Sequence, residues 1–220
     1  GLGYLGGSLA LILALVFLVQ TRHHLQYRLS LARAEVDKFA RIYGKNRWKS
    51  LTNLSLSIGQ DALLTTPIQM ANMTAAIANR GYYYTPHIVK SIENDSIDDR
   101  FRKPIRTMVD SSLFEIVIKG MQEVVEDEEL GTSNIAKMEN ITVCGKTGTA
   151  QNPHGEDHSI FIGFAPKDNP KIALAVYVEN GGWGSTWAVP IASLMIEKYL
   201  NDTIERDWLE KKIVEGVIEY

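Results

Sequence analysis

The stretch Cys144-Gly145-Lys146-Thr147-Gly148-Thr149-Ala150-Gln151 continues the short β-type run of residues 141–144 and determines the fold that we predict. Because side chains alternate along a strand, an extended conformation places Thr147 and Thr149 on one face, with Lys146 and Gly148 on the other. Gly148 removes a side chain where another backbone approaches. An edge strand with this surface can pair with an extended peptide and hold its carboxylate through Lys146 and Thr147. An ordinary exposed strand end stays open as the alternative.

Two further strands and three helices are predicted around this stretch. Residues 159–166 and 171–178 are β-type runs separated by the turn signal Asp168-Asn169-Pro170, which predicts an antiparallel hairpin. Thr66 and Pro67 are typical of a helix start, and Gly81 of its end. Other helices are expected at residues 113–125 and 187–200, an extended segment at 82–89 and a surface loop at 93–107. Helices packed on an antiparallel sheet give an α+β fold class.

The N-terminal residues predict a membrane segment. Residues 2–19 carry no charge, and a stretch of this length is just long enough to span a bilayer as one transmembrane helix. A buried helix of a soluble protein is the alternative. Residues 25–43 continue with helical apolar spacing. Positive charges follow the apolar stretch and none precedes it, which places the C-terminal side in the cytoplasm by the positive-inside rule.

Composition excludes several kinds of function. The 220 residues carry a net charge of −3, which gives no electrostatic basis for binding nucleic acid. A single cysteine excludes an intrachain disulfide. His154 and His158 are four residues apart, but Pro153 and Gly155 argue against the helix that a shared metal site would need, so we predict no metal and no cofactor. The first residue is Gly rather than Met, so we expect a piece of a longer protein.

An ordered set of motifs resembles the class B penicillin-binding proteins, which are membrane-anchored transpeptidases that cross-link peptidoglycan. Lys-Thr-Gly is one of three marks of the penicillin-recognising acyl-transferases. The elongation-type branch, penicillin-binding protein 2, is most similar. The matching elements occur in the family's order: Leu54 to Gln60, Thr66 to Ala71, Ala75 to Gly81, Gly131-Thr132, Gly145 to Gln151, Phe161 to Pro166, Gly181-Gly182 and Ala188-Val189-Pro190. This divides the chain into residues 1–43, a C-terminal part of a transpeptidase domain at 44–201, and a tail at 202–220.

The resemblance implies roles for the edge strand. Lys146, Thr147 and Gly148 take the substrate- and penicillin-recognition role, and Thr149 contributes a backbone N–H to the oxyanion hole. The implied activity is a peptidoglycan D,D-transpeptidase acting on D-alanyl-D-alanine stem peptides and inhibited by β-lactams. The implied partners are a shape-and-division (SEDS) glycosyltransferase and proteins of the elongation complex. The implied location is the bacterial inner membrane with the transpeptidase part in the periplasm, which conflicts with the orientation that the flanking charges predict.

The sequence departs from the family where chemistry is needed. No Lys has a Ser three positions before it, and no Ser has an Asn two positions after it, so the Ser-x-x-Lys and Ser-x-Asn elements are missing. Acyl transfer needs a nucleophile beside a base, so we predict that this chain alone is inactive. Asp61 stands where the family usually has Gly.

A non-catalytic membrane fragment is the alternative to the enzyme. Residues 1–43 resemble a transmembrane segment of a SEDS glycosyltransferase, which suggests a join of two proteins near residues 40–44.

Overall fold

The computed structural model describes residues 54–55, 57–60, 64–93 and 95–218. The predicted transmembrane helix at 2–19 and its extension at 25–43 lie outside these residues. Within the described part of the chain, no helix is long and apolar enough to cross a membrane. The elements, in chain order, are α1 Pro67–Ala78, β1 Tyr82–Tyr83, α2 Asp99–Arg102, β2 Ile105–Arg106, α3 Ser111–Glu126, a 3-10 helix Asn134–Ala136, β3 Cys144–Ala150, β4 His158–Ala165, β5 Ile172–Val178, α4 Ala188–Asn201 and α5 Asp207–Val214.

The chain divides into two compact units, and β3, which carries the Lys-Thr-Gly triplet and is called the recognition strand below, belongs to the larger one, which contains the described residues of 65–106 and 110–218. The smaller unit holds the Ser-Ile-Gly-Gln element. Its turn is closed by Gln60 N, which donates to the Ser55 carbonyl at 3.0 Å. Gly59 has a φ of +80°, a conformation that favours glycine. Asp61, the position at which the sequence departs from the family, lies outside the described residues.

The main sheet is a three-stranded antiparallel meander in the order β3-β4-β5. Thr147 lies opposite Phe161, and Phe161 lies opposite Val176, so the predicted hairpin of the second and third strands is confirmed. The triplet lies on a strand as predicted, but the β-type run at 141–143 is not part of it, because β3 is Cys144–Ala150. β4 ends before Pro166, which has no amide hydrogen to donate, and beyond it Lys167 N donates to the Thr142 carbonyl at 3.0 Å without continuing the ladder.

Helices pack against both faces of this sheet. Phe161 and Val176 point to one face, where they join Val189, Ala192 and Ile196 of α4 in the core. Ile162 and Phe164 both point to the opposite face of the sheet and are also buried. α1 packs against β4 and β5 as well. Helices on an antiparallel sheet agree with the predicted α+β class.

Helix α1 begins and ends where its sequence predicts. Thr66 forms a capping box with Gln69, whose side-chain oxygen accepts from Thr66 N at 2.9 Å, and Pro67 is the first helical residue. Gly81 follows the helix with a φ of +108°. The sequence predicts a helical apolar stripe here, made of Ile68, Met70, Ala71, Thr74, Ile77 and Ala78. This stripe is wrong at its start, because Ile68 is 59% exposed while Thr74, Ile77 and Ala78 are buried. The buried residues of α1 all lie in its C-terminal half.

The predictions for the middle and the end of the chain need small corrections. The helix expected at 113–125 is α3, and Asp110 caps it by accepting from Ser112 N at 2.9 Å. The surface loop expected at 93–107 contains α2 and β2, and β2 pairs with β1. Only residues 82–83 of the extended segment expected at 82–89 form a strand. The helix expected at 187–200 is α4.

The residues after α4 pack back on the domain through a buried ion pair. Arg206 Nε lies 2.8 Å from Glu197 Oε2, and Arg206 Nη1 donates to the Ile135 carbonyl at 2.8 Å. Leu209 of α5 is fully buried. The segment at 202–218 therefore contains a helix that packs against α4.

Candidate substrate-recognition site

The triplet lies on an edge strand of the main sheet. Within the described residues, β3 pairs with β4 on one side and with no strand on the other. Thr147 and Thr149 lie opposite Phe161 and Ser159, while Lys146 lies opposite Ile162. Directly opposed residues share a face, so the two threonines point to one face and Lys146 to the other. This confirms the predicted alternation and leaves one side of the strand for an extended ligand.

Lys146 is a half-buried cation. Its Nζ donates to the Thr147 carbonyl at 2.9 Å and lies 3.4 Å from Thr147 Oγ1. None of the ion pairs between described residues involves it. Burial lowers the pKa of Lys146, because removing an ammonium group from water disfavours its charged form. A carboxylate that binds beside this amine would therefore stabilise its charged form.

Thr132 joins the site from another part of the chain. Its Oγ1 lies 2.9 Å from Thr147 Oγ1. The turn that carries it is held by Asp127, whose Oδ1 accepts from the amides of Glu129 and Leu130 at 2.9 Å each. These two amides lower the pKa of Asp127, with that of Leu130 contributing most. Sequence reasoning gave Thr132 no role, although Gly131-Thr132 belongs to the motif set.

A glycine at position 131 is required by the same turn. A Cβ at Gly131 would lie 2.2 Å from the Asp127 carbonyl oxygen and 2.9 Å from that of Val124. Only a residue without a side chain fits this approach of main chain to main chain. The Gly-Thr pair is therefore explained by geometry: the glycine permits the turn and the threonine hydroxyl reaches Thr147.

The glycine-rich turn at residues 181–184 contacts the backbone of β3. A Cβ at Gly184 would lie 2.7 Å from the Gly148 carbonyl oxygen and 2.5 Å from that of Ile160. We call residues 181–184 the glycine loop. Its main chain packs directly on β3 and β4 where Gly148 and Ile160 pair.

His158, the first residue of β4, and Asp157 before it accept hydrogen bonds from neighbouring loops. His158 Nδ1 accepts from Asn180 N at 3.0 Å, and Asp157 Oδ1 accepts from Asn152 N at 3.1 Å. Over the residues that the structure describes, no cluster of three or more His, Cys, Asp or Glu side chains is arranged to hold a metal ion.

Cys144 precedes the site and is buried. Desolvation raises the pKa of its thiol from 9.0 to about 12. The folded state therefore binds this proton more tightly than the unfolded state, and its stabilising contribution is complete below pH 9 and is lost as the pH rises toward 12.

We expect no alkylation of the native chain by iodoacetamide at pH 8, and rapid alkylation in urea, with mass spectrometry as the measurement. Rapid modification without denaturant would contradict the burial of this thiol.

The fold and the edge strand define a class of protein. An antiparallel sheet covered by helices, with a Lys-Thr-Gly triplet on its edge strand, is the arrangement of the penicillin-recognising acyl-transferases. The family of the penicillin binding protein transpeptidase domain matches residues 34–197. The chain belongs to the penicillin-binding protein transpeptidase family, and its similarity is to class B members of the PBP2 type.

Individual relatives agree with this assignment. The peptidoglycan D,D-transpeptidase MrdA of Haemophilus influenzae is 34% identical over 179 residues, covering 73% of this chain and 27% of that protein. PBP2 of Pseudomonas aeruginosa, solved in complex with WCK 5153, is 34% identical with a TM-score of 0.65, covering 78% and 38%. Penicillin-binding protein A of M. tuberculosis, solved as an imipenem acyl-enzyme, is 30% identical with a TM-score of 0.57, covering 66% and 33%. The chain spans between a quarter and two fifths of these relatives.

Proposed function

We propose that this chain provides the carboxylate-recognition wall of a peptidoglycan D,D-transpeptidase. It binds the terminal carboxylate of D-alanyl-D-alanine stem peptides and the carboxylate of β-lactams, and it does not perform acyl transfer by itself. One observation carries the proposal: the half-buried Lys146 ammonium lies beside the Thr147 hydroxyl without a carboxylate partner among the described residues. A partly desolvated cation gains from an anion that replaces its lost hydration.

Two threonine hydroxyl groups lie beside this cation and help to orient a bound carboxylate. Thr147 Oγ1 and Thr132 Oγ1 lie 2.9 Å apart, so a carboxylate that accepts from one of them is also within reach of the other. Although Lys146 starts on the opposite face, its Nζ comes within 3.4 Å of Thr147 Oγ1, where it adds a charge-assisted hydrogen bond. One of the two hydroxyls donates to the other, so the remaining hydroxyl hydrogen and the ammonium are the donors for a carboxylate.

The strand edge supplies the second half of recognition. A peptide bound in extended form can add a strand to β3 through main-chain hydrogen bonds. Gly148 keeps this part of β3 free of a side chain, and a Cβ there would lie in ordinary contact with Ile160 of β4 at 3.4 Å. The site can thus bind the C-terminal end of an extended peptide, such as the end of a stem peptide.

Acyl transfer requires what the sequence of this chain lacks. Without a Ser-x-x-Lys element, no serine has a lysine at the spacing that would activate it. The oxyanion role of the Thr149 amide therefore belongs to a complete enzyme, in which a nucleophile is supplied alongside this strand. Membrane attachment and a SEDS glycosyltransferase partner remain predictions from the sequence. A join of two proteins near residues 40–44 also stays a prediction.

A titration followed by nuclear magnetic resonance tests the proposal. The full chain, held in detergent micelles because residues 2–19 carry no charge, is titrated with diacetyl-L-lysyl-D-alanyl-D-alanine and with benzylpenicillin. We expect both ligands to shift the amides of residues 146–149 and Thr132. The control ligand is the peptide with an amidated C-terminus, for which we expect no shifts. Equal binding of the amidated peptide, or shifts confined to other regions, would contradict carboxylate recognition.

A further inference from the structure

We propose that Ser159 is a positioning residue for the recognition strand: its buried hydroxyl fixes the glycine loop on Gly148 and thereby sets the position of residues 147–149. This inference rests on the proposed function, because it explains how the carboxylate-binding strand is held in place. Ser159 lies directly opposite Thr149 in the sheet and is fully buried.

The Ser159 hydroxyl donates to the glycine loop and accepts from the start of α4. Its Oγ donates to the Trp183 carbonyl at 2.9 Å and accepts from Ala188 N at 3.1 Å. Ala188 is the first residue of α4, and the residue before it, Trp187, makes no side-chain capping bond. A serine from a neighbouring strand therefore serves as the acceptor that the start of this helix lacks.

The glycine loop has a main-chain anchor besides Ser159: Gly182 N donates at 2.7 Å to the carbonyl of Asp157, the residue before β4. The Trp183 side chain is 74% exposed, so the indole does not fix the loop by packing. Two bonds join the loop to the residues that follow it: Thr186 N donates to the Trp183 carbonyl at 2.9 Å, and Val189 N of α4 donates to the Gly184 carbonyl at 3.0 Å. Neither reaches the sheet, so Ser159 holds Trp183 and the start of α4 to β4 beyond the anchor at Gly182.

Contact between the loop and the recognition strand is direct. Gly184 leaves no room for a Cβ, which would lie 2.7 Å from the Gly148 carbonyl oxygen. Gly148 is the residue between Thr147 and Thr149, so a displacement of the loop removes a main-chain contact from the residue that links them. Carboxylate binding through short hydrogen bonds is sensitive to shifts of this kind.

Two serines of equal burial provide a matched test. Ser193 is also fully buried, but its Oγ donates to the Pro190 carbonyl at 2.9 Å within its own helix, away from the loop. Ser159→Ala should shift the amide resonances of Gly148, Thr149 and Gly184, and weaken binding of diacetyl-L-lysyl-D-alanyl-D-alanine about tenfold. Ser193→Ala should lose stability to a similar extent and leave both readings unchanged. A Ser159→Ala chain with wild-type amide positions and affinity would overturn the proposal.

A second variant covers the case in which Ser159→Ala does not fold. Gly184→Ala leaves Ser159 intact but places a methyl group against the Gly148 and Ile160 carbonyls, so the loop must move off the strand. We expect the same loss of affinity, and wild-type affinity of a folded Gly184→Ala chain would overturn the proposal. Gly120→Ala, which adds its Cβ in open space, is the control. If the wild-type chain binds no ligand, the proposed function fails, and the Gly148 amide position still decides whether Ser159 sets the strand.

Discussion

Gly145→Ala should lower the free energy of unfolding by about 3 kcal/mol, the upper part of the usual range for overpacking a core. The added Cβ would lie 2.1 Å from Cζ of Phe161 and 3.0 Å from the Ile162 carbonyl oxygen. The ring cannot move aside, because Phe161 is fully buried and its opposite edge already occupies the space beside Gly163, where a Cβ would lie 2.6 Å from Cε1. Urea unfolding followed by tryptophan fluorescence measures the change.

Gly148→Ala is the matched control for that prediction. The same methyl group, three residues further along β3, would lie 3.4 Å from the nearest atom of Ile160, which is ordinary contact. We expect a change in unfolding free energy below about 1 kcal/mol. In the Gly145→Ala background, Phe161→Leu should recover part of the loss, since the two side chains compete for one space. Equal midpoints for Gly145→Ala and the wild type would contradict the packing described here.

Lys146→Met should weaken binding of the D-alanyl-D-alanine peptide by about tenfold to a hundredfold, the range for a hydrogen bond to a charged group. The substitution keeps the length of the side chain and removes the charge that faces the carboxylate. Lys171→Met is the control, because Lys171 is an exposed lysine immediately before β5. Isothermal titration calorimetry gives both affinities. Comparable losses in the two variants would show that net charge, rather than the position of Lys146, governs binding.

The pH dependence of binding follows from the same residue. Only the ammonium form of Lys146 attracts a carboxylate, so affinity falls as the pH rises through its pKa. Burial lowers that pKa, and the loss is therefore expected to begin at a lower pH than for an ordinary lysine, whose pKa is 10.5. The Lys146→Met variant should show no such dependence. An affinity in the wild-type chain that stays constant into the ordinary lysine range would contradict a desolvated Lys146.

Local chemistry made part of the fold predictable. Thr66 and Pro67 start α1 and Gly81 ends it, because capping and left-handed conformations depend on a few adjacent residues. The β4–β5 hairpin follows from two β-type runs and a turn signal. The side-chain alternation of β3 follows from extended backbone alone, so the opposite directions of Lys146 and Thr147 were also predictable.

Contacts between distant residues were not predictable in the same way. Thr132 and Thr147 are brought within 2.9 Å by a turn held by Asp127, and no local pattern reports that approach. In the sequence, Ser159 is one residue of a β-type run, and only the fold places its hydroxyl between Trp183 and Ala188. The start of β3 and the exposure of Ile68 were predicted wrongly, because both depend on which neighbouring element lies beside them.

The intact mass of the chain after incubation with benzylpenicillin tests the central claim, recognition without acyl transfer. The sequence contains the Lys-Thr-Gly strand but no Ser-x-x-Lys nucleophile, so we predict an unchanged mass under conditions in which the titration shows penicillin bound at residues 146–149. A complete class B penicillin-binding protein in the same experiment should gain the mass of the opened penicillin. A covalent adduct on this chain would contradict the account, because it would require a nucleophile that the sequence motifs do not reveal.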